Sequence, residues 1–197
     1  MVAVEPISRN RAAFRASLCA NPSLRHRVVL LATALSSSVS GGPCFAYSYA
    51  RNMGNAQLTC GAAARQGPLD AIGEAASCAR LCPPPRCGQC EAVNLTTLDA
   101  ALGPALAKLR QRRTAGASLP VVAAKLDAEG HECNILAAGT SLLSVHRPML
   151  VQVEVSTHGA AAGKRLRCVE DLASKYGYRV KYERGKDNAY MVRRDAA

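Results

Sequence analysis

The chain has 197 residues, 49% hydrophobic and 20% charged, which is enough for one sizeable domain and too short for two complete enzyme domains. That balance excludes global disorder and any collagen-like or coiled-coil character. Twenty-five Lys and Arg against 14 Asp and Glu give a net charge of +11 without a basic tail or stripe; with no Trp and two Phe, stacking platforms are few and nucleic acid is disfavoured as a partner.

Met1–Pro6 reads as a short buried strand stopped by a proline, and Ser8 then caps a helix to about Ala20, closed by Asn21-Pro22. Arg27–Ala34 is a continuous apolar run of the kind buried on both faces, so strand, helix and strand make one βαβ unit. The uncharged stretch Val28–Ala50 breaks up at Ser36-Ser37-Ser38 and Gly41-Gly42-Pro43, so no membrane span is expected from it. Glu5 and Arg9 interrupt the start before the apolar core of a signal peptide could form. From Ser36 to Ala92 periodicity fails and Pro83-Pro84-Pro85 breaks regular structure. An irregular excursion is expected there, with a hairpin around Cys44–Thr59.

Order resumes at Thr97, which caps a helix carrying Leu98, Leu102, Leu106 and Leu109 on one face, followed by basic Arg110–Arg113 and a Gly116-Ala117-Ser118 loop. Pro120–Asp127 is the next strand, and a helix runs from about His131 to Leu143 with an interruption at Gly139. Met149–Val155 is a strand, and Lys164–Tyr176 a helix stopped by Gly177. Tyr178–Glu183 and Asn188–Arg193 form a terminal hairpin across Arg184-Gly185-Lys186-Asp187. The alternation predicts an α/β fold with a mainly parallel sheet and an antiparallel C-terminal edge.

In such sheets ligands bind beyond the carboxyl ends of the strands, and two of these ends are acidic. Glu5 closes the first strand, where a carboxylate either accepts from the hydroxyls of a ribose or complements the dipole of the helix that follows. Asp127-Ala128-Glu129-Gly130-His131-Glu132 packs three carboxylates and an imidazole into six residues. This cluster could hold a divalent metal, act as a general base or cap the next helix, and capping accounts for one acid rather than three.

Lys125-Leu126-Asp127-Ala128-Glu129-Gly130-His131-Glu132, with Ile135-Leu136-Ala137-Ala138-Gly139, Leu142-Leu143 and Arg147-Pro148, resembles the signature of the FkbM-type methyltransferase family. Val4-Glu5-Pro6 with Arg9-Asn10, then Asn21-Pro22, Ala34-Leu35-Ser36 and Thr97-Leu98-Asp99, resemble that family's earlier elements in the same order. The resemblance implies one Rossmann-like methyltransferase domain over residues 1–197, with a Cys/Pro-rich irregular insertion at 61–92. It implies S-adenosylmethionine as cofactor and a hydroxyl acceptor on a small molecule, glycan or lipid. Glu5, Pro6 and Ala34 would then border the cofactor, with Asp127, Glu129 and His131 facing the reacting hydroxyl.

The chain departs from the family in one respect. Only four residues precede Glu5, and no glycine pair has the G-x-G spacing of the turn that wraps the cofactor's methionine part. The expectation is therefore a sheet truncated at its N-terminus, lacking its central strand, and weak or no cofactor binding by this chain. The second constellation, Cys78-x3-Cys82-x4-Cys87-x2-Cys90, either binds tetrahedral zinc within a non-enzymatic basic binding module or belongs to a loop insertion without metal, and the irregular spacing and proline run favour the loop. Cys19, Cys44, Cys60, Cys133 and Cys168 read as small core residues, and His26, His146 and His158 as surface positions. Nine cysteines without a secretory signal predict reduced thiols in an intracellular, cytoplasmic setting.

Overall fold

Val2–Val4 form β1, which pairs in parallel with β2 (Val29–Leu31), and the two are joined by α1 (Ser8–Ala20) and the short α2 (Pro22–Arg25). The computed structural model describes residues 1–38, 43–61, 74–112, 120–155, 162–183 and 187–195. Helix α1 starts one residue earlier than Ser8 predicts, with Ile7 as N-cap and no cap from the Ser8 side chain. Two carboxylates take that place: Ile7 N donates to Glu5 Oε1 at 2.8 Å and Ser8 N to Glu91 Oε1 at 2.6 Å. They satisfy N–H groups that the first turn leaves unpaired and complement its positive end.

The predicted strand Arg27–Ala34 divides at Ala32-Thr33. Its second part, β3 (Ala34–Leu35), leaves β2 and pairs in parallel with β7 (Leu95–Thr96). Between them lies a three-stranded antiparallel sheet of β4 (Cys44–Tyr49), β5 (Asn52–Cys60) and β6 (Cys87–Val93) in the order β5-β4-β6, accompanied by α3 (Glu74–Leu81). The hairpin expected around Cys44–Thr59 is β4–β5. Much of the segment read as irregular, 61–92, is therefore regular where it is described. Phe45, Ala46 and Tyr47 are buried in this sheet, so it has a small apolar centre of its own.

Helix α4 (Leu98–Gln111) is capped as its sequence predicts, with Ala100 N donating to Thr97 Oγ1 at 3.2 Å, and it buries Leu102, Ala105, Leu106 and Leu109. The 3.6-residue spacing of those side chains lays one apolar stripe on the core. Strand β8 (Ala123–Leu126), helix α5 (Glu132–Ala138), a π-helical turn (Leu142–His146), β9 (Leu150–Glu154), α6 (Ala162–Tyr176) and the hairpin β10 (Tyr178–Tyr182) and β11 (Asn188–Arg193) follow in the predicted order. Gly139 is needed between α5 and the π-turn, since a Cβ there would meet the Leu98 side chain and lie 2.9 Å from Ile135 O. Gly177, at φ 79, supplies the left-handed residue that ends α6. The main core lies between α4, α5, α6 and the sheet β10-β11-β9-β8, with Leu136, Leu143, Val151, Val153 and Met191 fully enclosed.

The expectation of a Rossmann-like, mainly parallel methyltransferase sheet is overturned. The protein is α/β, but its strands form several small sheets in which antiparallel pairing predominates. Among the described residues, parallel ladders are confined to β1·β2, β3·β7 and β8·β9. The physical reason is visible in the pairing: among the described residues no strand lies between β1 and β8, so the two parallel pairs are not joined by backbone hydrogen bonds. The excursion predicted as loop meanwhile closes its own antiparallel sheet, and β11 enters the last sheet antiparallel between β9 and β10. The basic Arg113, the Gly116-Ala117-Ser118 loop, the turn residues 184–186 and His158 lie outside the described residues. No helix among the described residues is long and apolar enough to cross a membrane.

Candidate functional site at the carboxyl ends of β8 and β9

Leu126 and Val153 are the last paired residues of the parallel ladder β8·β9, and each is followed directly by an acid, Asp127 and Glu154. Parallel pairing in register thus brings two carboxylates side by side at the same end of the sheet. Glu129 joins them: one carboxylate oxygen each from Asp127, Glu129 and Glu154 lies within 4.8 Å of the others. Glu129 is placed there by a backbone turn in the left-handed region, at φ 51, with Gly130 following at φ 94. Non-glycine residues seldom adopt this conformation, so the turn is held by its surroundings. Glu132 is the holder. Its Oε1 accepts from Ala128 N at 2.7 Å and Gly130 N at 3.1 Å, and the residue is buried to 3% exposure at the start of α5.

The three carboxylates differ electrostatically. Lys125 Nζ donates to Asp127 Oδ2 at 2.8 Å, and this bond, against the opposing effect of burial, holds the Asp127 carboxyl below its ordinary value while raising Lys125. Burial, a hydrogen bond with Asp127 and the charges of Asp127, Glu129 and Glu132 push Glu154 up to about 7. Burial and the same negative neighbours raise Glu129 as well. The two carboxyls are thus driven apart, Asp127 towards its ionised form and Glu154 towards its protonated one. Two acids that cannot both ionise cheaply are poised to take up and release a proton near neutral pH.

The cluster opens into a cavity of about 510 Å³. It is lined by Glu129, His131 and Glu154, by Arg165 of α6 and Asp187, and by Asn55, Gln57 and Thr59 of β5. Arg165 lies over the backbone turn, its Cζ and Nη2 each 3.4 Å from where a Gly130 Cβ would stand. The disulfide Cys133–Cys168, with Cα atoms 6.3 Å apart, joins α5 to α6 and so fixes the two helices that supply Glu132 and Arg165.

The structure brings together Asp127, Glu129 and His131, with His131 as the N-cap residue of α5 at the cavity wall. It does not bring Glu5, Pro6 and Ala34 to that cavity. Glu5 acts as the helix-start carboxylate described above. Pro6 O accepts from Arg11 Nη1 in a short contact, and Ala34 is buried in its pairing with Leu95. The residues expected to border S-adenosylmethionine are thus not among those that line the cavity. Glu154, Arg165, Asp187 and the β5 residues are not singled out as site residues by the sequence. The signal for Glu154 is its place at the carboxyl end of a predicted strand, directly after Val153, as Asp127 directly follows Leu126.

The cysteines also differ from expectation. Cys44–Cys60, Cys78–Cys90 and Cys82–Cys87 are disulfides with Cα separations of 4.1, 5.6 and 4.9 Å, and with Cys133–Cys168 they leave exposed Cys19 as the free thiol. Cys78, Cys82, Cys87 and Cys90 therefore offer no thiolates to zinc and are not a loop without structure; they tie α3 and β6 to one another. The reduced-thiol expectation is corrected in the same way. Comparison of the chain with protein-family models, with curated proteins and with solved structures finds no match.

Proposed function

We propose that the chain provides the acceptor side of an S-adenosylmethionine-dependent O-methyltransferase of the FkbM type: a pocket that receives a hydroxyl group and takes its proton. The observation that carries this reading is the convergence of Asp127, Glu129 and Glu154 at the carboxyl ends of two paired parallel strands, beside an open cavity. A hydroxyl entering from the cavity donates to the carboxylate of Glu154, whose carboxyl near 7 is ionised in a large fraction at neutral pH, and Glu154 takes that proton as the oxygen becomes nucleophilic, with Asp127 beside it stabilising the protonated form. His131 at the rim and Arg165 above the turn orient the acceptor. The resemblance around Lys125–Glu132 supports assigning this chemistry to methyl transfer. Four disulfides further support folding in an oxidising compartment rather than the cytoplasmic setting expected from the sequence.

Ligand-observed saturation-transfer NMR on the full chain tests the reading with alcohol and methyl-ether pairs: a methyl glycoside and its O-methyl ether, phenol and anisole, hexanol and hexyl methyl ether. A hydroxyl-accepting site engages at least one alcohol over its ether, and Asp127→Asn and Glu154→Gln weaken that preference because a charged acceptor makes the stronger hydrogen bond. Engagement of no alcohol, or a preference untouched by both substitutions, would overturn it.

A further inference from the structure

The cavity has a second wall that the carboxylate chemistry does not use. Strand β5 places Asn55, Gln57 and Thr59 at alternate positions, so by the two-residue period of a strand the three share one face, and all three line the cavity that Glu129 and Glu154 also line. Gln57 is oriented by its register partner on β4: Tyr47 Oη donates to Gln57 Oε1 at 2.9 Å, which leaves the amide nitrogen as the part that donates. The wall is braced at its end by Cys44–Cys60, adjacent to Thr59, while Cys78–Cys90 and Cys82–Cys87 anchor β6 on the far side of β4. It is thus held in place before any ligand arrives, which limits the ordering cost of binding.

We infer that the acceptor is a sugar unit, held between the donors of Asn55, Gln57 and Thr59 on β5 and the acidic cluster at the ends of β8 and β9. This rests on the hydroxyl-acceptor reading above and adds the substrate class. Each hydroxyl of a sugar both donates and accepts, and the lining supplies both kinds of partner: the carboxylates of Glu129 and Glu154 accept, while the amides of Asn55 and Gln57, the Thr59 hydroxyl and Arg165 donate. The alternatives lack their partners. Leu58 is the apolar side chain among the described lining residues, whereas an acyl chain needs a mostly apolar pocket, and the described lining has no aromatic face for a planar ring. Asn55, Gln57 and Thr59 set specificity and take no part in proton transfer.

Saturation transfer with the full chain separates the classes, using methyl α-glucopyranoside, phenol and hexanol as probes. The glycoside is expected to bind best. Gln57→Glu, which keeps an oxygen for Tyr47 but removes the amide donors, and Asn55→Ala are each expected to weaken it about threefold to tenfold, the equivalent of one hydrogen bond. Both sites are at the cavity surface, and retention of all four disulfides by peptide mapping checks that each variant is folded. Phenol or hexanol binding in preference to the glycoside, with dependence on Asp127 and Glu154 retained, would overturn the sugar assignment and leave the hydroxyl site standing. Glycoside binding unchanged by both β5 variants would overturn the role of this wall. Binding of no probe would overturn both proposals.

Discussion

Among the acidic residues of the site, Glu132 is structural. Its one oxygen serves two backbone N–H groups of the turn that presents Glu129. Glu132→Ala should therefore lower stability by about 2 kcal/mol, since it leaves partly buried donors unpaired, and a denaturant titration would show the loss as a lower midpoint. Glu154 has the opposite character, because its ionised form is disfavoured in the folded protein. With its carboxyl raised from 4.5 to about 7, the folded state holds a proton that the unfolded state releases, so stability falls as pH rises through that window. Asp127, held low by Lys125, contributes stability above its ordinary 3.8 that is lost on acidification. Melting temperatures should thus decline from about pH 4.5 to pH 7 in the wild type and decline less in Glu154→Gln. Asp127, Glu129 and Glu132 are visible in the sequence because they crowd one turn. Glu154 is not, because its membership depends on strand register, a relation between segments more than 20 residues apart.

At the level of elements, apolar periodicity carries most of the information. The Leu98-Leu102-Leu106-Leu109 stripe, the Gly177 stop and the terminal hairpin all fold within a few residues of where the sequence places them. The segment 44–93 is obscured for a physical reason. Its sheet draws on cross-links as well as apolar alternation, and spacing alone does not say which cysteine meets which. The Cys133–Cys168 bond is similarly hidden, closing 35 residues between two helices that each read normally. Replacing both cysteines by Ser should cost about 2–4 kcal/mol. It should also weaken alcohol binding, because α5 and α6 each supply lining residues, Glu132 and Arg165. Denaturant titration and saturation transfer on the same variant check both, and a stability loss with intact binding would confine the bond to a structural role.

For the whole molecule, the two parallel pairs β1·β2 and β8·β9 stand apart, and the candidate site belongs to the second alone. The sequence shows the order of elements but not this separation, since pairing across a sheet is not encoded in the local pattern of either strand. Glu5, Pro6 and Ala34 lie with the first part and away from the cavity, so calorimetric titration of the chain with S-adenosylmethionine should give no saturable heat. Saturable binding at micromolar concentration would show that a glycine-rich turn is dispensable.

The most direct test of the proton-accepting site is carbon-detected NMR titration of the side-chain carboxyl of Glu154 in the full chain, from about pH 3 to pH 9. A midpoint near 7 that moves downward in Asp127→Asn is the expected result. A midpoint at the ordinary 4.5, or one indifferent to Asp127, would contradict a shared proton and with it the hydroxyl-activating role.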